Sequence, residues 1–542
     1  MKRFIYFFAA CLLAFNVVAQ TKIELALEAL NSGDDATVVQ YTTEILAEQP
    51  KNTPALTLRA SANSRLGNFD AAFSDINAAI KHWRKKYEAE VTLSDLYLTR
   101  SYLYVAIGDE AAALADMDVA VKKGGRNAAE YYDKRADFYV ERDFYDLAEA
   151  DYHMAAKKNP YNVDYQVKEG LAILLQGRVE EAEKRLEKLV KFYPLNAEAQ
   201  RWYAYVFYLK EDYKSSIDQY IKYMAMADQM DLTVFIESSK QEFDYAIDAI
   251  TAQMKLENDD YFWDYIRARV YRENRHFVEA LTDLKRIEEH LGVETLETFV
   301  LEEMAVNYEQ LEEFPQSIYY YSILIVQNEE NSVAEVYYNL KRANVYCYMG
   351  EADKALEDCE KALRTSMDYA PWAYYLKGRA EELKKEYEAA ILDYTQSLAY
   401  VENNQYAHLK RGKLYLMYRQ DTVSAMQDFE RVLELDTVVV SSSCRHYALM
   451  YLGRTAEAKA WMADILERYS DRPVHYCDAA CLYACMGEAE EAMKYLRQGL
   501  EMGYRNLRHF EIDSDFDSLR DRPDFKELIN TYKQKASEEK RN

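Results

Sequence analysis

The chain is long and strongly acidic: its 542 residues include 67 Lys and Arg against 93 Asp and Glu, for a formal charge of −26. Nucleic-acid-binding proteins need a basic face for the phosphate backbone, so this composition excludes nucleic acid as the expected ligand. After the first twenty residues, no stretch approaches the ~18 apolar residues of a transmembrane helix, so we expect no membrane span.

The N-terminus has the pattern of a secretory signal peptide. Lys2 and Arg3 precede an apolar run over 4–18, which ends in the small-residue sequence Val-Val-Ala. This pattern predicts that 1–19 are removed and that the mature chain is exported, into the periplasm if the source is bacterial. The alternative is an outer-membrane lipoprotein, in which Cys11 accepts the lipid.

The rest of the chain repeats one pattern with a period near 34 residues. The unit at 163–196 shows it whole: a small residue, Gly170, is followed twelve residues later by Ala182, and Pro194 closes the unit. If Gly170 is given repeat position 8, that position reads Ala60, Ser101, Ala136, Gly170, Ala204, Ala268, Ala305, Ala343, Gly378, Gly412, His446 and Ala480. Such a period predicts helix–turn–helix units that bury their apolar faces against their neighbours.

A charge pattern supports this phase. Seven units carry a basic residue at position 7 and an aspartate at position 23, and the unit at 163–196 has the opposite signs, Glu169 and Arg185. These positions face each other in an antiparallel hairpin, so we expect an ion pair within each unit, worth under ~1 kcal/mol if solvated. The seven pairs are Arg59–Asp75, Arg100–Asp116, Arg135–Asp151, Arg267–Asp283, Arg342–Asp358, Lys377–Asp393 and Arg411–Asp428.

These residues resemble the tetratricopeptide repeat superfamily. The resemblance implies an all-α, right-handed superhelical solenoid of about 13–14 helix–turn–helix units with a C-terminal cap. We expect an N-terminal arm over 20–228 and a C-terminal arm over 258–503, separated by an irregular or degenerate repeat at 229–257. The cap is expected at 504–534, followed by a charged, disordered tail at 535–542.

The resemblance also implies that ligands bind in the groove formed by the first helices. Asn344, Arg379 and Lys413 share repeat position 9 in three consecutive units, and Lys341 and Lys410 lie beside them. A ladder of donors suits a carboxylate-bearing peptide, and packing does not call for a charge at this position. The alternative is that surface charges share a position by chance. The rings that flank the ladder are Tyr337, Trp372 and Tyr375.

A second candidate surface is aromatic. Trp202, Tyr205 and Tyr208 lie on one predicted first helix, and Phe262 and Tyr265 follow beyond the irregular segment. Aromatic side chains at this spacing favour an extended segment or a partner helix as ligand. The alternative is that these rings pack adjacent repeats together.

Three cysteines form a candidate metal site. Cys477, Cys481 and Cys485 lie one turn apart on one helical face, with His446 or His475 as a possible fourth ligand for zinc. Structural zinc sites usually draw ligands from separate segments with CxxC-type spacing, so small buried residues are the preferred interpretation. We therefore expect no metal or other cofactor.

The sequence shows no phosphate-binding loop, nucleophile elbow or His-Glu-x-x-His motif, so we expect no enzyme. The predicted function is a non-enzymatic scaffold or adaptor of the cell envelope that binds protein or peptide partners. The alternative is a periplasmic peptide-binding chaperone or receptor that captures flexible, carboxylate-bearing segments in its groove.

Overall fold

The computed structural model describes residues 22–227, 231–256, 261–329 and 332–539. The predicted signal peptide and Cys11 lie outside this part of the chain. Within it, fourteen consecutive helical hairpins follow one another, which we number repeats 1 to 14. This confirms the predicted all-α repeat architecture. The helices group into two compact units, of which one ends at Ala246 and the other begins at Ile247, inside the segment predicted to be irregular.

Each of the first seven repeats consists of a first and a second helix joined by a tight turn. Their bounds are 22–31 and Asp35–Glu48, Thr53–Arg65 and Phe69–His82, Leu93–Ala106 and Glu110–Lys123, Ala128–Val140 and Tyr145–Lys158, Val163–Leu175 and Val179–Phe192, Ala197–Leu209 and Tyr213–Met224, and Thr233–Gln241 and Phe243–Leu256.

Repeats 8 to 14 continue the same pattern and are followed by a C-terminal segment. Their bounds are Phe262–Glu273 and Phe277–Leu291, Thr298–Gln310 and Phe314–Gln327, Ser332–Met349 and Ala352–Thr365, Ala370–Leu383 and Tyr387–Tyr400, Gln405–Leu414 and Thr422–Leu435, Arg445–Tyr451 and Thr455–Arg468, and Pro473–Cys485 and Ala489–Glu501. The C-terminal segment contains one helical turn, His509–Ile512, and a final helix, Pro523–Glu539.

Close approach of the two helices explains the small residues of the repeat. Ala60, Ala136 and Ala204 are fully buried at position 8. In repeat 11, a Cβ atom on Gly378 would lie 2.7 Å from the ring of Tyr394, which is itself fully buried. A larger residue there would push the helices apart, because interiors of this density leave no room for it.

The turn between the two helices needs one residue in the left-handed region. Glycine occupies it in seven repeats, and Gly67 (φ 76°) and Gly487 (φ 75°) are examples. Six repeats instead place a larger residue there at φ 56–67°: Asp143, Glu211, Arg275, Glu312, Lys385 and Gln420. The fold therefore imposes this backbone conformation even where the side chain disfavours it.

All eight predicted ion pairs are present. The seven basic–Asp pairs have N···O distances of 2.7–3.2 Å, and Arg185 contacts Glu169 in the repeat with reversed signs. In every pair the carboxylate is buried, from Asp283 at 1% exposure to Asp75 at 7%. The pairs are therefore less solvated than the sequence suggested, and removing one partner leaves a buried charge.

We expect the reversal of both charges in repeat 5 to restore stability that either single change removes. Arg185→Glu places a second carboxylate beside the buried Glu169, and Glu169→Arg places a second cation beside Arg185 and His153. Each single change should cost about 3 kcal/mol. The double variant has the arrangement of the seven other pairs and should recover most of this loss in chemical denaturation. Additive losses would mean that the two side chains do not interact.

The tail prediction needs correction. Residues 535–539, expected to be disordered, continue the final helix Pro523–Glu539, and 540–542 lie outside the described residues. The reason is local: Lys, Ala and Glu in this stretch are all strong helix formers. None of the helices that the structure describes has the length and apolarity to cross a membrane.

Candidate partner-binding face

The predicted donor ladder lies on the first helices of repeats 10 to 12, and the structure brings its members together. The Arg379 guanidinium donates to the Asn344 side-chain oxygen at 2.7 Å, and the Asn344 amide donates to Glu309 of repeat 9 at 3.3 Å. Arg379 also lies over the Tyr348 ring, 5.0 Å from its centroid. We call this surface the ladder face; it carries Glu309, Asn344, Arg379, Glu382 and Lys413.

The neighbouring lysines also meet partners of the chain. The Lys410 ammonium lies 3.7 Å from the Glu382 carboxylate, and Lys341 lies 5.5 Å from the Tyr337 ring centroid. Burial raises the pKa of Glu309, and the nearby Lys341 charge opposes that rise. Attraction to the Glu382 carboxylate raises the pKa of Lys410 above its ordinary value, although burial opposes it. Lys410 therefore stays charged at neutral pH.

Lys413 is the most enclosed member of the ladder, at 8% exposure. Its ammonium donates to Asp515 at 2.6 Å and to the Ser514 hydroxyl at 3.0 Å, both in the C-terminal segment. Burial acts to lower the pKa of Lys413, but the Asp515 carboxylate together with Tyr451, Glu382 and Asp513 outweighs it, so the pKa is raised. The residue predicted to bind a ligand carboxylate thus binds a carboxylate of its own chain.

This differs from the expectation that packing does not call for a charge at this position. Glu309 and Glu382 share repeat position 12, where they face the ladder residues of the following repeat. Together with the acidic C-terminal segment, they pair the cations internally. Sequence reasoning missed these partners because it considered the donors without the acids on the first helix of the preceding repeat.

The aromatic residues beside the ladder pack with one another. The Tyr337 ring lies 6.1 Å from that of Trp372, and its hydroxyl donates to Glu302 at 3.2 Å. Tyr375 packs against Tyr394 with ring centroids 5.9 Å apart. These rings are half-buried and contribute to the cores of repeats 9 to 12.

The second aromatic surface lies in the other unit. Trp202, Tyr205 and Tyr208 form a chain of ring contacts on the first helix of repeat 6, at 5.8 Å and 5.9 Å between successive centroids. All three are half-buried, and Arg201 lies 5.1 Å from the Trp202 ring. Phe262 and Tyr265, predicted to extend this surface, belong to repeat 8 in the C-terminal unit.

The three cysteines of the candidate metal site differ in their exposure to solvent. Cys477 and Cys481 are buried against the C-terminal segment, while Cys485 is exposed. Burial raises the pKa of the thiols at 477 and 481 well above the ordinary value, which disfavours the thiolate that a metal needs. Neither nitrogen of the buried His446 has a hydrogen-bond partner, and burial lowers its pKa to about 4. Within the residues that the structure describes, no three His, Cys, Asp or Glu side chains are grouped to hold a metal ion.

Comparison with known proteins agrees with the repeat geometry. Residues 134–193, 176–229 and 340–408 match the model of the tetratricopeptide repeat family. The chain belongs to the tetratricopeptide repeat superfamily. Tetratricopeptide repeat proteins generally mediate protein–protein interactions and are typically non-catalytic.

A tetratricopeptide repeat-containing protein of Methanocaldococcus jannaschii is 21% identical over 325 residues. The match covers 55% of this chain and 49% of the relative, so the chain spans about half the relative's length. A tetratricopeptide repeat protein from Parabacteroides merdae is 17% identical, with coverage of 53% of this chain and 98% of that one and a TM-score of 0.32. Yeast Tom70 is 13% identical, with coverage of 82% and 96% and a TM-score of 0.34.

We expect Lys413→Glu to destabilise the C-terminal unit. The new carboxylate would lie beside Asp515, and the enclosed Asp515 would lose the cation that contacts it. A loss of about 3 kcal/mol or more is expected, because this is the cost of leaving buried charge uncompensated. The matched control is Lys354→Glu on the second helix of repeat 10, where the lysine is 58% exposed and forms a surface ion pair with Glu351 at 3.3 Å. Equal melting temperatures for the two variants would show that the contact of Lys413 with Asp515 does not stabilise the fold.

Proposed function

We propose that this protein is an exported, non-enzymatic scaffold that holds protein partners at the cell envelope. The observation that carries the proposal is the succession of fourteen hairpins, whose helices bury one face and leave the other to solvent over most of the chain. Such surfaces suit the binding of folded partners, since each repeat adds area for contact with a partner and the repeat pattern carries no catalytic motif.

The aromatic surface of repeat 6 is the part of the N-terminal unit best suited to contact a partner. Trp202, Tyr205 and Tyr208 remain half-exposed although they pack against each other. Large aromatic side chains that are partly accessible contribute most strongly to protein interfaces. The donors of the ladder face, by contrast, already have hydrogen-bond or ion-pair partners within the chain.

Site-specific photocrosslinking in the native envelope tests the scaffold. A photoreactive residue at Tyr205 or Tyr208 should capture one or a few folded partners, identified by mass spectrometry. The matched control position is Lys354, an exposed residue on a second helix, which should capture none of them. Capture of many unrelated polypeptide tails would instead support the chaperone function, and capture at the control position alone would exclude the aromatic surface.

Export is part of this proposal and rests on the sequence of residues 1–19. The native protein should begin at Gln20 and carry no lipid, as read from the intact mass and the N-terminal peptide. An intact Met1 would contradict export. Acylated Cys11 would place the protein at a membrane as a lipoprotein.

The second candidate function is the capture of a carboxylate-bearing peptide on the ladder face. One observation favours it: Lys413 already binds the Ser514 hydroxyl and the Asp515 carboxylate of this chain, so the face accommodates a carboxylate-bearing segment. Charge-assisted hydrogen bonds of this kind give both affinity and orientation to a bound peptide.

A further inference from the structure

The C-terminal segment after repeat 14 returns to repeats that lie far earlier in the C-terminal unit. The backbone N–H of Arg505 hydrogen-bonds the Glu312 carboxylate in the turn of repeat 9. Ile512 reaches the turn of repeat 10, where a Cβ atom on Gly350 would lie 3.3 Å from the Ile512 Cδ1 atom. Asp515 then binds Lys413 of repeat 12, 102 residues earlier in the chain.

Two buried aromatic residues hold this segment on either side of its contact with the ladder face. Phe510 and Phe516 are fully buried, and they pack with Cys477, Cys481 and the final helix in one core. Between them lie residues 512–515, which we call the latch. The latch residues are only partly buried or exposed, and their side chains point towards Gly350 and Lys413 rather than into that core.

The charges of the latch match those of the ladder face. Asp515 binds Lys413 directly, and Asp513 lies near both Lys410 and Lys413. Burial acts to raise the pKa of Asp513, but its hydrogen bond from His509 and these lysines lower it. The Asp513 carboxylate is therefore ionised at neutral pH. The chain has a net charge of −26, so the lysines of the ladder face are a local exception to its overall acidity.

The latch has the chemistry of the ligand that the second candidate function requires. It offers an aliphatic side chain, Ile512, followed by two carboxylates two residues apart, and it occupies the donors that such a ligand would use. Release of the latch need not expose the buried core, because Phe510 and Phe516 can stay in place on repeat 14 while latch residues 512–515 move away.

We propose that the latch is a resident, displaceable ligand of the ladder face, which blocks that face until a peptide of the same acidic-aliphatic chemistry replaces it. The proposal rests on the second candidate function. While it is bound, the latch has the high effective concentration of a tethered ligand, so a weak peptide in solution does not compete. Weakening the latch should therefore unmask a binding site that the native protein conceals.

The test uses the full-length mature protein with Asp515→Lys, which places a cation against Lys413 and Lys410. The matched control is Asp517→Lys, two residues later, where the carboxylate is 65% exposed and contacts only Arg520 on the surface. The probe is a fluorescent synthetic peptide with the chain's own residues 505–520. Its binding is measured by fluorescence anisotropy, and amide hydrogen exchange of residues 512–515 reports on release of the latch.

The expected result is at least a tenfold faster exchange of the latch amides in Asp515→Lys, together with at least tenfold tighter peptide binding than in wild type and in Asp517→Lys. Adding Lys413→Gln to Asp515→Lys should abolish peptide binding. If Asp515→Lys fails to fold, as judged by circular dichroism, the isosteric Asp515→Asn replaces it with the same comparisons.

Two results would overturn the proposal. Unchanged exchange would mean that Asp515 does not hold the latch. Faster exchange without peptide binding would mean that the segment only closes the end of the solenoid and that the ladder face is no binding site. Neither result bears on the scaffold, which photocrosslinking at Tyr205 tests independently in the other unit.

Discussion

The close approach of two helices within each hairpin is the constraint on which this structure depends. The crossing points carry alanine, glycine or serine, which let the two helices pack in direct contact. Ala204 and Ser216 in repeat 6 are examples, and both are fully buried. The buried carboxylate of each ion pair fixes the register of the same hairpin. Because one face of each helix is used entirely in this way, recognition is left to the opposite face.

That opposite face is used differently in the two units. In repeat 6 it presents rings that contact one another and remain half-exposed. In repeats 9 to 12 it presents cations whose partners come from the preceding repeat and from the C-terminal segment. A buried lysine such as Lys413 is stable only with a nearby carboxylate, so the segment that supplies Asp515 belongs to the folded state of this unit.

The periodic part of the fold was predictable from the sequence, since each of its contacts recurs at a fixed spacing. The pairs from Arg59–Asp75 to Arg411–Asp428 are confirmed for this reason. Contacts that occur once were not predictable: no period links Lys413 to Asp515, and only the fold brings them together. The conformation of Glu312 was predictable in part. Its left-handed backbone follows from its place in the repeat, although its residue type argues against it.

The contact between Lys413 and Asp515 decides whether the ladder face is occupied in solution, and a double-mutant cycle measures it directly. Lys413→Met, Asp515→Asn and the double variant are compared by the opening free energy of the amides at residues 512–515, from native-state hydrogen exchange. The account predicts a coupling of about 1.5 kcal/mol or more between the two side chains, as for close charge pairs with little solvent. A coupling near zero would contradict it.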